Sequence, residues 1–201
     1  MTPRDLNLGQ GIEVRRILSH SSKELVVEVD VASNAALGAR DVSLFDTILK
    51  TALVVYDRVD YIRATPESSM AAFGSRKYPR GFQVFEAIGY QRGPDGKPHT
   101  ADDLELGPID VTWSMEVFYA LDASGNDKVG KVTPGGLLVP SPENPGANYD
   151  IWVVATATKE MNQEGTPLVG KGYVVVTVPE YTFNGHHYVR DLERWIEDGA
   201  W

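Results

Sequence analysis

The clearest alternation of apolar and polar positions lies in Tyr-Asp-Ile-Trp-Val-Val-Ala-Thr-Ala-Thr, from Tyr149, and in Gly-Lys-Gly-Tyr-Val-Val-Val-Thr-Val-Pro-Glu-Tyr, ending at Tyr181. This predicts two long strands joined by a polar connection over residues 159–170 that contains Asn162, Gly165 and Pro167. Ile151, Val153, Ala155 and Ala157 fall on one face, and Trp152, Val154, Thr156 and Thr158 on the other. In the second strand Val174, Val176 and Val178 alternate with Tyr173, Val175 and Thr177. Both faces are largely apolar, so the hairpin is expected at the centre of a sandwich, covered by a second sheet on at least one side.

Earlier in the chain, Leu25, Val27, Val29 and Val31 alternate with Glu24, Val26, Glu28 and Asp30, the pattern of a half-buried strand with one solvated face. Ile12, Val14 and Ile17 precede it, and strand signals at residues 39–44 and 52–56 follow. A new unit starts near Val59. It has a strand ending before the Pro66-Glu67 turn, an apolar stretch from Phe82 to Tyr90, and Val111, Trp113, Met115, Val117 and Tyr119 alternating on one face. Residues 130–139 read as a glycine-broken pair of short strands. Strands at roughly ten-residue spacing with Gly/Pro punctuation predict an immunoglobulin-like sandwich, with Trp113 as its buried tryptophan and Tyr149 as its corner tyrosine. The last twenty or so residues differ. Asn184-Gly185 predicts a tight hairpin, and Val189, Leu192, Trp195 and Ile196 have the spacing of a short helix that must dock to persist.

Composition narrows the function classes. The 201 residues include 28 acidic and 19 basic ones, giving net charge -9. The basic residues are scattered rather than gathered into the basic face that nucleic-acid binding needs. No apolar run approaches the roughly 20 residues that span a bilayer, and Met-Thr-Pro-Arg-Asp lacks the apolar stretch of an export signal. With no cysteine there is no disulfide, thiolate metal site, iron–sulfur cluster or covalently attached haem within these residues.

Candidate chemistry is sparse. Asp95, Asp102, Asp103 and Glu105 offer hard oxygen ligands to calcium, but their spacing does not match an EF-hand, and the alternative is a solvated hairpin loop. His186 and His187 are neighbours and point to opposite faces of a strand. Ser19-His20-Ser21-Ser22 places hydroxyls beside an imidazole without the elbow motif of a serine hydrolase. Trp113, Tyr119, Trp152 and Tyr173 read as core residues, whereas Trp195 and Trp201 suit either an anchor to a partner subunit or a lid on the chain's own sandwich. No catalytic, cofactor-binding or metal-binding residue is assigned.

Several long strings, in order, carry a resemblance: Asp57-Arg-Val-Asp-Tyr-Ile-Arg-Ala-Thr-Pro-Glu67, Gly93-Pro-Asp-Gly-Lys-Pro, Leu106-Gly-Pro-Ile-Asp-Val-Thr-Trp-Ser114, Asp150-Ile-Trp-Val-Val-Ala155, and the run from Gly170 to Gly185. They resemble the C-terminal part of the alpha subunit of quinohemoprotein amine dehydrogenase. Residues 9–14, 27–31 and 38–44 also resemble the later strands of an IPT/TIG-type immunoglobulin-like domain. The resemblance implies an all-β chain of two immunoglobulin-like antiparallel sandwiches in tandem. Residues 1–57 would be a partial IPT/TIG-like domain, 58–180 a complete sandwich, and 181–201 a C-terminal hairpin and docking tail. It implies a non-catalytic assembly role in a periplasmic complex that deaminates primary amines oxidatively, with a beta subunit, a gamma subunit and a haem domain as partners. Haem c and cysteine tryptophylquinone would sit on other domains or subunits, because Cys-x-x-Cys-His is absent. The alternatives are a free-standing exported β-sandwich binding module and a calcium-stabilised one.

Overall fold

β-Branched and aromatic residues at alternate positions give the described residues an all-β architecture, 58% strand and 3% helix. The computed structural model describes residues 2–75, 77–118, 128–142 and 146–179. Contacts divide the chain into two compact units. One comprises Met1–Thr65, Glu86–Thr112 and Ala155–Gly170; the other comprises Pro66–Phe85, Trp113–Val154 and the chain from Lys171 onward.

The first unit begins with a 3-10 turn, Pro3–Asp5, where the Asp5 carboxylate accepts from the Thr2 backbone N–H at 2.6 Å. Then follow β1 (Leu6–Asn7), β2 (Ile12–His20), β3 (Leu25–Val31), β4 (Gly38–Leu44) and β5 (Thr47–Val55). They form two small antiparallel sheets, β2-β3 and β1-β4-β5. In β5 the strand bulges, because Asp41 faces an extra loop of chain and its carboxylate accepts from the Thr51 N–H at 2.9 Å, with Thr51 at φ 50. The strand starts at Thr47 rather than at Ala52 as its apolar run suggests, since residues that face solvent, the apolar Ile48 and Leu49 among them, still pair through their backbone. The alternation in β3 is present, but only Leu25 and Val27 are half-buried; Val29 and Val31 remain exposed.

The chain continues through β6 (Tyr61–Thr65), β7 (Ser68–Ala72), β8 (Gln83–Val84), β9 (Glu86–Gln91), β10 (Leu104–Pro108), β11 (Val111–Val117), β12 (Gly130–Val132), β13 (Leu137–Pro140), β14 (Tyr149–Met161) and β15 (Pro167–Thr177). In the first unit β10-β9-β6 form an antiparallel sheet whose buried positions include the small Ala64, Ala87 and Gly89, and the stretch of β14 in the same unit buries Ala155 and Ala157. Small residues let backbones approach. A Cβ at Gly170 would lie 2.9 Å from the Ile62 carbonyl oxygen, so the start of β15 passes directly against β6 and admits no side chain there.

The second unit holds the large apolar core. Phe73, Phe85, Leu138, Ile151, Val153, Val174 and Val176 are almost fully buried, with Trp113, Met115 and Tyr149 packed against them. The sheets are β11-β14-β15-β7 and β12-β13-β8. β7 pairs parallel with β15, Val174 opposite Ser69 and Val176 opposite Ala71, a departure from a wholly antiparallel sandwich. The expected core faces of the central hairpin are correct: Ile151, Val153, Val174, Val176 and Val178 point inward.

Two expectations need correction. The polar connection in the central hairpin is much shorter than residues 159–170. β14 runs to Met161 and β15 restarts at Pro167, with Asn162 accepting from the Glu164 and Thr166 N–H groups at 2.9 and 3.0 Å to close the turn. The stretch from Phe82 to Tyr90 is not one strand. It breaks at Phe85, whose N–H donates to Gly136 O, so β8 pairs with β13 while β9 pairs with β6 and β10. The break exposes Phe82 and Val84, which the unbroken alternation would have buried.

Candidate functional site

The acidic loop between β9 and β10 is organised from within. Asp103 accepts the Tyr61 hydroxyl at 2.6 Å, the Gly93 and Thr100 backbone N–H groups at 3.0 Å each, and the Thr100 hydroxyl at 3.3 Å. Asp95 accepts from the Lys97 N–H, and Asp102 lies against Gly93, where an added Cβ would come within 2.2 Å of its carboxylate. These carboxylates serve their own loop's donors. Among the described residues no three His, Cys, Asp or Glu side chains gather into a metal-binding group.

Around Tyr61 lies a polar-aromatic cluster. Tyr61 and Tyr90 are cross-strand partners in β6 and β9 and stack at 5.1 Å with rings 8° apart. The His99 ring meets Tyr61 edge-on at 4.7 Å, while its backbone N–H donates to the Tyr61 oxygen. The Tyr90 hydroxyl donates to Glu105 at 3.0 Å, and the Arg63 guanidinium lies over the Tyr90 ring. Burial, then the Asp103 carboxylate, pushes Tyr61 up to about 12. The Tyr61 hydroxyl, aided by the loop N–H groups, holds Asp103 down at about 2. A proton shuttle needs a group poised near the working pH, and neither partner is. The pair is a fixed hydrogen bond at any physiological pH. It clamps the acidic loop to β6.

On the second unit the aromatic residues divide. Trp113 sits partly buried against the core, its ring 6.3 Å from Phe85, as expected. Trp152 and Tyr173 do not join the core; they face outward from β14 and β15 and cluster with Phe118, at 5.2 and 5.8 Å from it and 5.7 Å from each other. The Tyr173 hydroxyl donates to Asp150 at 2.7 Å, and Lys171 pairs with Glu116 at 2.6 Å beside them. Phe118 is 43% exposed and Met70, on neighbouring β7, is 66% exposed. This apolar face with a charged margin has the make-up of an interface centre. Parity along β11 marks it, because Phe118 shares the solvent face of Ser114 and Glu116.

Ser19, His20, Ser21 and Ser22 lie at the exposed end of β2, where the Ser21 hydroxyl accepts from the Lys23 and Glu24 N–H groups of the turn. The Ser21 hydroxyl is thus engaged by its own turn, and among the described residues no hydrogen bond joins His20 to a hydroxyl or a carboxylate to make a nucleophile–base pair. Tyr119, His186, His187, Trp195 and Trp201 lie outside the described residues, as do the predicted hairpin and helix at 181–201. Sequence reasoning missed Tyr61, Tyr90 and His99, since strand register alone reveals that the two tyrosines are neighbours.

The family model for domain IV of the quinohemoprotein amine dehydrogenase alpha subunit matches residues 62–186. The chain belongs to that family. The domain III model of the same subunit matches residues 3–57, so the two account for most of the chain, in order. A search of curated proteins gives no match. These are domains of the alpha subunit of a multi-subunit amine dehydrogenase. Covalent haem attachment and a cysteine-linked quinone both require thiols, and the sequence has none. No helix among the described residues is long and apolar enough to cross a membrane.

Proposed function

We propose that the chain is a non-catalytic assembly part of a quinohemoprotein amine dehydrogenase alpha subunit. It serves a periplasmic complex that oxidatively deaminates primary amines, and it packs against the beta subunit, the gamma subunit and the haem domain. Haem c and cysteine tryptophylquinone belong to those other parts. Within the chain, residues 1–57 and 58–180 act as successive domains and 181–201 as a docking tail. One observation carries this reading: two domain models of the alpha subunit match in sequence order over a chain that contains no cysteine.

The test is reconstitution. The purified chain is mixed with the beta subunit, the gamma subunit and the haem-bearing part of an alpha subunit, and the mixture is resolved by size. Co-elution, and amine-dependent dye reduction that rises when the chain is added, are the expected results. Amine oxidation or a haem absorption band from the chain alone would overturn the proposal. A second reading, a free-standing binding module, draws on the aromatic face of the exposed Phe118 and the half-buried Trp152 and Tyr173. That reading predicts that the chain stays apart from all three partners.

A further inference from the structure

Beside the turn of the β14–β15 hairpin lies a pocket of about 360 Å³, on the scale of a small-molecule site. It is lined by Arg58, Val59 and Asp60, which lead into β6, by Arg92 just after β9, and by residues 161–164. All of them belong to the first unit, and residues 58–60 fall in the short stretch between the two family matches. Two of the four charged side chains answer each other. Asp60, whose side chain is only 14% exposed, accepts from Arg58 Nε at 2.9 Å and from the Arg92 backbone N–H at 2.8 Å. That carboxylate ties the two arginine-bearing segments together. The hairpin turn is fixed as well, since the Asn162 side chain accepts from the Glu164 and Thr166 N–H groups and its carbonyl from the Gly165 N–H. One charge of each sign remains. Among the described residues no hydrogen bond or ion pair engages the Arg92 guanidinium or the Glu164 carboxylate, and the two do not pair with each other. Val59, half-buried, and Met161, 48% exposed, supply the apolar part of the wall.

We infer that this pocket binds a free zwitterionic amino acid with an aliphatic side chain. Its carboxylate meets Arg92, its ammonium group meets Glu164, and its side chain lies on Val59 and Met161. The signs of the unpaired groups set this class. A simple anion would gain Arg92 and be repelled by Glu164, and a simple cation would meet the reverse, whereas a zwitterion gains from both. A guanidinium offers a carboxylate two parallel N–H donors, and a carboxylate accepts charge-assisted bonds from an ammonium group. Arg58 is held by Asp60 and Asp57, which leaves Arg92 as the partner for the ligand's carboxylate. Each unpaired charge alone is screened by solvent, so useful affinity needs a ligand that reaches both at once. The site is the same whichever complex the chain serves.

The experiment titrates the whole chain with L-leucine and follows the Met161 methyl and Arg92 amide signals by NMR. Two further probes each keep half of leucine's charges: isocaproate lacks the amino group and isoamylamine lacks the carboxylate. Leucine is expected to shift both signals saturably and to bind at least about fivefold more tightly than either half-analogue, since each of those loses one charge-assisted contact. The variants should act crosswise. Arg92→Gln should abolish leucine's advantage over isoamylamine and leave isoamylamine binding within about twofold of wild type. Glu164→Gln should abolish its advantage over isocaproate and leave isocaproate binding no weaker. Both side chains are exposed, so neither change threatens the fold. Equal binding of leucine and the half-analogues, or wild-type leucine affinity in either variant, would overturn the proposal. So would the absence of saturable leucine binding, as when the chain's own residues close the pocket or Arg92 and Glu164 pair directly in solution.

Discussion

Residues 1–57 and the second unit contain similar kinds of strand and treat their apolar side chains in opposite ways. Through β5, the only large apolar side chains among the described residues that are less than about a tenth exposed are Leu6 and Val55, while Leu18, Val31, Phe45, Ile48 and Leu49 are each more than half exposed. In the second unit Phe73, Phe85, Ile151, Val153, Val174 and Val176 are within 2% of complete burial. The difference is not apolar content. A strand contributes to a core only when a second layer faces it, and the early sheets have two and three strands with open edges. Among the described residues the early sheets leave most of their large apolar side chains exposed, and the second unit buries its own.

The largest effect that tests this contrast comes from truncating one phenylalanine in each region. Phe73→Ala removes a fully buried ring and is expected to cost about 3–5 kcal/mol in urea unfolding. Phe45→Ala, at a side chain 63% exposed, is expected to change stability by less than about 0.5 kcal/mol. Comparable losses would mean that the early sheets bury Phe45 in solution, and the contrast would fail.

A smaller effect is expected at the clamp between β6 and the acidic loop. Tyr61→Phe keeps the ring on Tyr90 and removes only the hydroxyl donated to Asp103. The expected loss is about 1 kcal/mol, the usual scale for one hydrogen bond. The pH dependence is two-sided. Asp103 is depressed to about 2, so its contribution is present above the ordinary carboxylate pKa and is lost as pH falls toward 2. Tyr61 is raised to about 12, so its contribution is present below pH 10 and is lost between about 10 and 12. Thermal unfolding of the wild type and of Tyr61→Phe across these ranges should converge at both extremes. A constant gap would show that the hydroxyl's effect does not depend on the carboxylate's charge.

How much of this was legible in the sequence follows from what periodicity encodes. The inward faces of β14 and β15 were readable because Ile151, Val153, Val174 and Val176 alternate without interruption. The outward position of Trp152 and Tyr173 followed from the same parity, but an apolar outer face looks like a core face until its cover is known. The break at Phe85 was hidden, because a residue between two strand segments leaves the local pattern intact while the hydrogen-bond partners change. The Tyr61 and Asp103 clamp was unreadable, since it joins residues 42 apart through a register no local pattern states. The acidic residues announced a loop correctly; which donors would occupy them depends on that loop's fold.

The smallest effect separates surface pairing from core packing within the early region itself. Arg15 pairs with Asp30 and Arg16 with Glu28 across β2 and β3, and every one of these side chains is more than a third exposed. Solvent screens such pairs, so Arg15→Gln and Arg16→Gln should each change stability by no more than about 0.5 kcal/mol, and by less as salt is added. What these pairs do offer is register. The ladder shifts between Val14 and Arg16 and again between Ile17 and Ser19, and cross-strand charges disfavour a slip that would set like charges opposite each other. The double variant should therefore unfold with nearly the same midpoint but show faster backbone hydrogen exchange along β2 and β3 than in the second unit's β14 and β15. If exchange along β2 and β3 were unchanged, the register would be set by the apolar pairs Val14–Val29 and Ile17–Val27 alone, and the early hairpin would be more self-sufficient than its burial suggests.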